Sequence, residues 1–139
     1  MNIDSIKNGF VLDHIRAGQG MELYRFLNLE SLDCPVAIIK NASSKTMGRK
    51  DIIKIDSDHD VELDALGYIA PDITVNVIRD FIRERKYRPE LPEEIVDIVR
   101  CKNPRCITVT EQELPHVFRL TDRKNRVYRC LYCETQANR

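Results

Sequence analysis

Short apolar runs separated by polar turns occupy the first third of the chain, and their spacing predicts a strand followed by a helix. The stretch from Gly9 to Ile15 is short and mainly apolar, which predicts a strand. The stretch from Gly20 to Leu29 carries apolar residues three and four apart, among them Leu23 and Phe26. That period predicts an amphipathic helix.

Two further apolar runs flank a polar segment and predict a β-hairpin. The first run is Pro35–Asn41 and the second is Arg49–Asp56. Between them lie mostly small and polar residues that end in Gly48, a composition typical of a turn. We therefore expect the second and third strands to pair directly with each other.

An acidic segment after the hairpin predicts the start of a second helix. Carboxylates satisfy free amides at a helix N-terminus and favour the positive end of its dipole. The acidic residues are Asp58, Asp60 and Glu62. The helix would continue through Leu66 and end at Pro71.

The next apolar run, Ile73–Ile78, is rich in β-branched residues and predicts a fourth strand. The basic stretch 79–88 that follows it predicts a further edge strand. The element order is then βαββαβ, so the fold class is α+β with a ferredoxin-like N-terminal domain.

A stiff connector marks a domain boundary near residue 91. Pro89 and Pro92 bracket Glu90 and Leu91, and residues 92–99 resemble a short helix that begins at Pro92. We assign residues 1–91 to the first domain and 92–139 to the second. The second is expected to be a small antiparallel β domain, with strands at 108–110 and 127–129.

Four cysteines in the second domain have the spacing of a metal site. They form two pairs, Cys101-x4-Cys106 and Cys130-x2-Cys133. Each short loop allows two sulfurs to converge on one ion, and a site filled by four thiolates is typical of structural zinc. A segment this small usually needs a metal, disulfides or a partner to fold. The spacing therefore predicts one structural Zn²⁺ per chain, bound by these four cysteines.

Two other arrangements of the cysteines remain open at this point. Two disulfides would also stabilise a small domain, and an iron site would use the same ligands. No secretory signal is visible, which weakens the disulfide interpretation. The fifth cysteine, Cys34, precedes Pro35 and an apolar run, so we expect it to pack as a small hydrophobic residue.

Composition and charge place the protein among ordinary soluble domains. The chain has 139 residues, with 22 basic and 22 acidic side chains. This neutrality argues against a generic nucleic-acid-binding protein. No apolar run approaches the roughly 20 residues of a membrane helix. We expect a cytoplasmic protein without a membrane partner.

Several stretches together resemble the regulatory chain of aspartate carbamoyltransferase. They occur in the order of that family and extend over nearly the whole chain. The stretches are Lys7-Asn8-Gly9, Val11–Ile15, Met47–Ile55, Thr74-Val75-Asn76, Arg88-Pro89, Leu91-Pro92, Cys101-x4-Cys106 and Cys130-x2-Cys133-Glu134. The segment from Gly48 to Ile55 and the x4 cysteine loop are the most specific of these.

The resemblance implies a subunit without catalytic activity of its own. Such a chain forms homodimers through its N-terminal domain and assembles with catalytic chains through its zinc domain, where Asn103, Arg105 and Glu134 are candidate contacts. Its N-terminal domain binds the nucleotide effectors CTP and ATP. The residues implied for the effector site are Asp13, His14, Lys50, Lys54, Lys86 and Arg88.

The resemblance implies that Lys54 and Lys86 bind phosphate. It also implies that Asp13 contacts the ribose or base, with His14 beside it. Lys50 and Arg88 would lie at the edge of the site. The spacing of Lys50 and Lys54 agrees, because residues four apart in a strand share a face and two ammonium groups suit a polyphosphate.

Other function classes compete with this interpretation. A zinc-ribbon nucleic-acid-binding protein is the alternative, supported by basic residues between Arg119 and Arg139. The predicted strands have few aromatic residues of the kind that stack on RNA bases. A stand-alone enzyme is disfavoured because the sequence contains no recognisable set of acid, base and nucleophile.

Overall fold

The computed structural model describes residues 5–59, 61, 63 and 65–137, and the chain forms two compact units. These units are Met1–Glu90 and Leu91–Arg139. In chain order the first contains β1 (Gly9–Arg16), α1 (Gly20–Phe26), a 3-10 turn (Leu29–Ser31), β2 (Val36–Ser44), β3 (Gly48–Asp56), α2 (Leu66–Ile69), β4 (Thr74–Arg79) and β5 (Ile82–Tyr87).

The five strands of the first unit form one antiparallel sheet in the order β2-β3-β1-β4-β5. This is the strand order of a ferredoxin-like fold with β5 added at one edge. The predicted α+β class, the hairpin of β2 and β3, and the extra edge strand are confirmed.

One face of the sheet carries the core of the unit. Along β3, Asp51, Ile53 and Ile55 are fully buried, whereas the alternate residues Lys50 and Lys54 are only partly buried. The buried residues lie on the side of α1, whose Leu23 is also buried. Period-two alternation therefore leaves the lysines on the opposite, open face.

Both helices are shorter than the sequence pattern predicted. α1 ends at Phe26 rather than Leu29, because Asn28 adopts a left-handed conformation and a 3-10 turn follows it. α2 begins at Leu66. Asp58, predicted to begin α2, instead accepts a hydrogen bond from the side-chain amide of Asn8. Asp60 and Glu62 lie outside the described residues.

The second unit contains a three-stranded antiparallel sheet and one helical turn. In chain order its elements are β6 (Glu94–Val96), α3 (Ile107–Thr110), β7 (Val117–Asp122) and β8 (Val127–Cys130). The sheet order is β6-β7-β8. Phe118 and Tyr128 are almost fully buried and form the centre of this small core.

Two local predictions in the second unit are wrong. The predicted helix from Pro92 to Val99 is the strand β6, because Ile95 is buried opposite Phe118 in the sheet. The predicted strand at 108–110 is the helical turn α3, which begins directly after Cys106. In both places tertiary contacts override local propensity. The predicted strand at 127–129 is confirmed as β8.

Candidate functional site

The four cysteines of the second unit converge on one point. Their sulfur atoms all lie within 4.8 Å of one another. The Cys101–Cys133 sulfurs are 3.5 Å apart and the Cys106–Cys130 sulfurs are 3.6 Å apart. Tetrahedral zinc with bonds of about 2.3 Å separates its sulfurs by about 3.8 Å. The cluster is therefore suited to one metal ion, as expected for structural zinc.

Hydrogen bonds from their backbone amides hold three of the four cysteines in position. Cys106 lies at the N-terminus of α3, and its amide donates to the Asn103 carbonyl. The Cys101 amide donates to His116 Nδ1 at 3.1 Å. Cys130 ends β8, and its amide donates to the Thr135 carbonyl. The two cysteine loops are thus fixed by β8, by α3 and by the chain around His116.

The surroundings of the cysteines shift the pKa values of two thiols in opposite directions. Burial raises the pKa of Cys101 to about 12, despite a hydrogen bond from the Asn103 amide. Burial also acts to raise the pKa of Cys133, but hydrogen bonds from Thr135 and Asn103 lower it to about 6. Four ionised sulfurs in one place repel each other, and a bound metal ion reduces that penalty.

A row of polar side chains crosses the open face of the N-terminal sheet. Lys54 pairs with Val11, Val11 with Asn76, and Asn76 with Lys86. Paired residues point to the same face, so the two lysines stand on one side with Asn76 between them. Three strand spacings separate their Cα atoms, about 14 Å in total. Two flexible ammonium groups can reach one ligand across that distance.

Asp13 and Lys50 form an ion pair beside this row. The Lys50 ammonium lies 2.9 Å from Asp13 Oδ1, and both side chains are largely shielded from solvent. Burial acts to raise the pKa of Asp13, but Lys50 and the His14 amide outweigh it and hold that pKa below its usual value. The Asp13 carboxylate is therefore ionised and ready to accept hydrogen bonds at neutral pH.

A β-bulge brings His14 out of the core. The register of β1 against β3 shifts between Leu12 and Ile15, and His14 has a φ of 61°. The bulge leaves both Asp13 and His14 partly exposed while Ile15 returns to the core. His14 Nδ1 lies 3.2 Å from the Thr74 hydroxyl, which fixes the ring against β4.

An open groove of about 700 Å³ lies at this end of the sheet. Of the predicted site residues, His14, Lys86 and Arg88 line it. The other lining residues are Thr46, Met47, Asp72, Thr74 and Tyr87. Lys86 lines the groove and also belongs to the row with Lys54, so the groove and the row meet at Lys86. The Asp13–Lys50 pair and Lys54 lie outside the lining of the groove.

Thr74 and Asn76 lie beside these residues, although neither was among the residues expected for the effector site. Both are buried side chains on β4. The side-chain amide of Asn76 donates to the Val11 carbonyl at 3.2 Å, and the Thr74 hydroxyl contacts His14. The available sequence signal was polarity, because Thr74 and Asn76 interrupt the otherwise apolar run Ile73–Ile78.

A buried carboxylate lies on the covered face of the sheet, opposite these residues. Asp51 is fully buried and accepts three backbone hydrogen bonds, from Gly18 (3.1 Å), Gly20 (2.9 Å) and Asn41 (3.0 Å). It lies opposite the bulge of β1, and β2 has a second register shift, between Ile39 and Ala42, at the same level. Asp51, on β3, therefore lies where both β1 and β2 have irregular register.

In the part of the chain that the structure describes, no helix has the length and apolar character needed to cross a bilayer.

Comparison with known proteins gives the same assignment for both units. Residues 1–90 match the family model described as aspartate carbamoyltransferase regulatory chain, allosteric domain. Residues 93–139 match the model described as aspartate carbamoyltransferase regulatory chain, metal binding domain.

Curated proteins with the name aspartate carbamoyltransferase regulatory chain are similar over almost their full length. One from Clostridium botulinum is 46% identical over 134 residues, which is 96% of this chain and 92% of that protein. One from Clostridium tetani is 45% identical over 135 residues, or 96% and 94% of the two chains. One from Bifidobacterium longum is 41% identical over 137 residues, or 99% of each.

Proposed function

The chain belongs to the aspartate carbamoyltransferase regulatory chain family, and we propose that its N-terminal domain, residues 1–91, binds CTP and ATP at one site. As a regulatory chain with an allosteric and a metal-binding domain, it is a non-catalytic subunit whose partner is the catalytic chain. We also propose that the chain assembles with the catalytic chain in the cytoplasm.

The row formed by Lys54, Asn76 and Lys86 carries the proposal. Lysine ammonium groups bind phosphate as flexible point charges, and charge-assisted bonds are roughly twice as strong as neutral ones. Two such groups on one open face suit a triphosphate. Arg88 adds a third positive charge along the adjoining groove.

In this proposal the Asp13–Lys50 pair recognises the sugar or base end of the nucleotide. An ionised carboxylate accepts hydrogen bonds from hydroxyl or amino groups, and the low pKa of Asp13 keeps it ionised. Lys50 prevents Asp13 from repelling the phosphates by balancing its charge at 2.9 Å. His14, fixed by Thr74, would border the ligand in the groove.

We further propose that the homodimer forms along β2. The two edges of the sheet differ in chemistry. β5 exposes Arg83, Glu84, Arg85 and Lys86, and charged edges discourage strand pairing. The apolar stretch Val36–Ile39 of β2 is only half-buried within the single chain, which suits an interface with a second copy.

The zinc domain, residues 92–139, is proposed to contact the catalytic chain beside its metal centre. The side chains of Arg105 and Glu134 are exposed and Asn103 is partly exposed, all in the loops that the cysteines hold. Large apolar side chains are also exposed in this unit: Val96, Ile107, Val109, Leu131 and Tyr132. Apolar groups with a polar rim are typical of protein interfaces.

The proposed effector site is tested by titrating the isotope-labelled, zinc-loaded chain with CTP and following backbone amide resonances. We expect the largest changes at Val11, Asp13, Lys54, Asn76 and Lys86. Saturable changes that avoid this face of the sheet would move the effector site elsewhere. ATP should shift the same resonances, because both nucleotides carry the triphosphate that the lysines recognise.

A further inference from the structure

The tetrathiolate cluster has more negative charge than one divalent cation neutralises. Four thiolates around Zn²⁺ retain a net charge of about −2. Cys101, Cys106 and Cys130 are buried, so this charge is largely removed from water. Buried charge is costly unless hydrogen-bond donors surround it. The donors at each sulfur therefore influence how firmly the domain holds its metal.

Backbone amides provide part of this donor set. The Asn103 amide hydrogen-bonds to the sulfur of Cys101, and the amides of Tyr132 and Cys133 hydrogen-bond to that of Cys130. The Thr135 amide does the same for Cys133. No side-chain substitution removes these donors, since they belong to the main chain of the cysteine loops.

Cys106 has a side-chain hydroxyl beside it. Its sulfur lies 3.0 Å from Thr108 Oγ1, and both residues are only 2% exposed. The position of this hydroxyl depends on the helical turn α3, which replaces the strand expected at 108–110. The turn brings the side chain at position 108 back to the sulfur at position 106.

Cys133 also has a threonine hydroxyl beside it. The Cys133 thiol donates to Thr135 Oγ1 at 3.2 Å. Each threonine follows the second cysteine of its pair by two residues, although one lies in a helical turn and the other follows β8. A metal-bound thiolate has no proton to give, so in the loaded site the hydroxyl must be the donor.

We propose that Thr108 and Thr135 donate hydrogen bonds to the metal-bound thiolates of Cys106 and Cys133 and thereby slow zinc release and attack on these sulfurs. A donated proton withdraws electron density from sulfur. The hydrogen bond thus offsets part of the buried negative charge of the loaded cluster and makes the sulfur less nucleophilic. This role goes beyond the family assignment and does not depend on nucleotide binding.

Thr→Val substitutions isolate the hydroxyl because valine keeps the branched shape of threonine. The test variants are Thr108→Val and Thr135→Val, with Thr108→Ser as the variant that restores a hydroxyl. Matched controls are Thr110→Val in the same helical turn and Thr121→Val in β7. Their hydroxyls donate to the carbonyls of Ile107 and Val127 rather than to sulfur.

The experiment measures zinc transfer from the full, zinc-loaded chain to a chromogenic chelator. We expect Thr108→Val to release zinc about 10- to 100-fold faster, the range found for lost partners of metal ligands. Thr135→Val should show a smaller effect because Thr135 is more exposed. Thr108→Ser and both controls should stay near the wild-type rate. Wild-type release from Thr108→Val, or equal acceleration by Thr110→Val, would overturn the proposal.

Cobalt substitution adds a readout that general destabilisation would not change. The sulfur-to-cobalt charge-transfer band should move to lower energy when a donor to sulfur is lost. We expect this shift in Thr108→Val and Thr135→Val but not in Thr110→Val. Should Thr108→Val fail to fold, Thr135→Val decides alone, and an unshifted band in that variant would refute the proposal.

Discussion

Lys50 and Asp51 are neighbours in β3 whose side chains act on opposite faces of the same sheet. On the open face, Lys50 forms an ion pair with Asp13 at 2.9 Å. On the covered face, Asp51 accepts amide hydrogen bonds from Gly18, Gly20 and Asn41. One dipeptide therefore links the proposed effector site to the backbone irregularities that shape it.

Asp51→Asn should destabilise the N-terminal domain strongly. The new amide group would face backbone donors in place of a carboxylate oxygen, and each buried donor left unsatisfied costs about 1–3 kcal/mol. We expect a total loss of roughly 3 kcal/mol or more, measured by chemical denaturation. The control is Glu84→Gln, at an exposed position of β5, which should change stability little. Equal stability of the two variants would contradict the role assigned to Asp51.

Lys54→Ala should weaken the binding of nucleoside triphosphates at least about tenfold, because it removes a charged hydrogen-bond donor from the site. Assembly with catalytic chains should be unaffected. Lys40→Ala is the matched control, since Lys40 is an exposed lysine on β2 outside the row. Calorimetric titration of both variants tests this, and unchanged affinity for Lys54→Ala would remove Lys54 from the site.

The Asp13–Lys50 pair gives a pH dependence with a definite sign. Because the pKa of Asp13 is lower in the folded chain than its usual 3.8, ionised Asp13 stabilises the fold at pH values above that figure. This contribution disappears as the pH falls through the folded pKa. In Lys50→Met, the pKa of Asp13 should rise, as measured by NMR titration of its carboxyl carbon. The same pKa in variant and wild type would show that the pair contributes nothing.

Cys106→Ser should abolish both zinc retention and association with catalytic chains. Metal binding in such small domains is coupled to folding, so loss of one ligand removes the surface that the partner recognises. Cys34→Ser is the control, because Cys34 belongs to the N-terminal unit and is not one of the four clustered cysteines. Metal analysis and co-elution are the measurements. A Cys106→Ser chain that still co-elutes with catalytic chains would separate assembly from the metal.

The sequence predicted the features that depend on residue period. The run Arg49–Asp56 after a polar turn predicted the strand β3, and the even spacing of Lys50 and Lys54 predicted their shared face. The spacing of the cysteines predicted the metal cluster. The bulges were not predictable, because a register shift depends on pairing partners distant in sequence. His14 is exposed only through such a shift. The sequence around Asp51 likewise does not show that its carboxylate is buried.

The wrong assignments have a common physical cause. Residues 92–99 and 108–110 lie in the small second unit, where the four cysteines and a few aromatic side chains determine the backbone. Pro92 resembles the start of a helix, but its carbonyl accepts a hydrogen bond from the Tyr128 hydroxyl and the chain continues as β6. Thr108 has strand propensity, but it adopts a helical turn beside Cys106.

Calorimetric titration of the purified, zinc-loaded chain with CTP, followed by competition with ATP, shows whether the N-terminal domain binds both effectors at one site. It requires no catalytic chain, so it separates effector binding from assembly. We expect saturable binding of CTP at one site per chain and displacement of CTP by ATP. Absence of binding by both nucleotides would contradict the proposed effector site and leave only the metal-dependent assembly role.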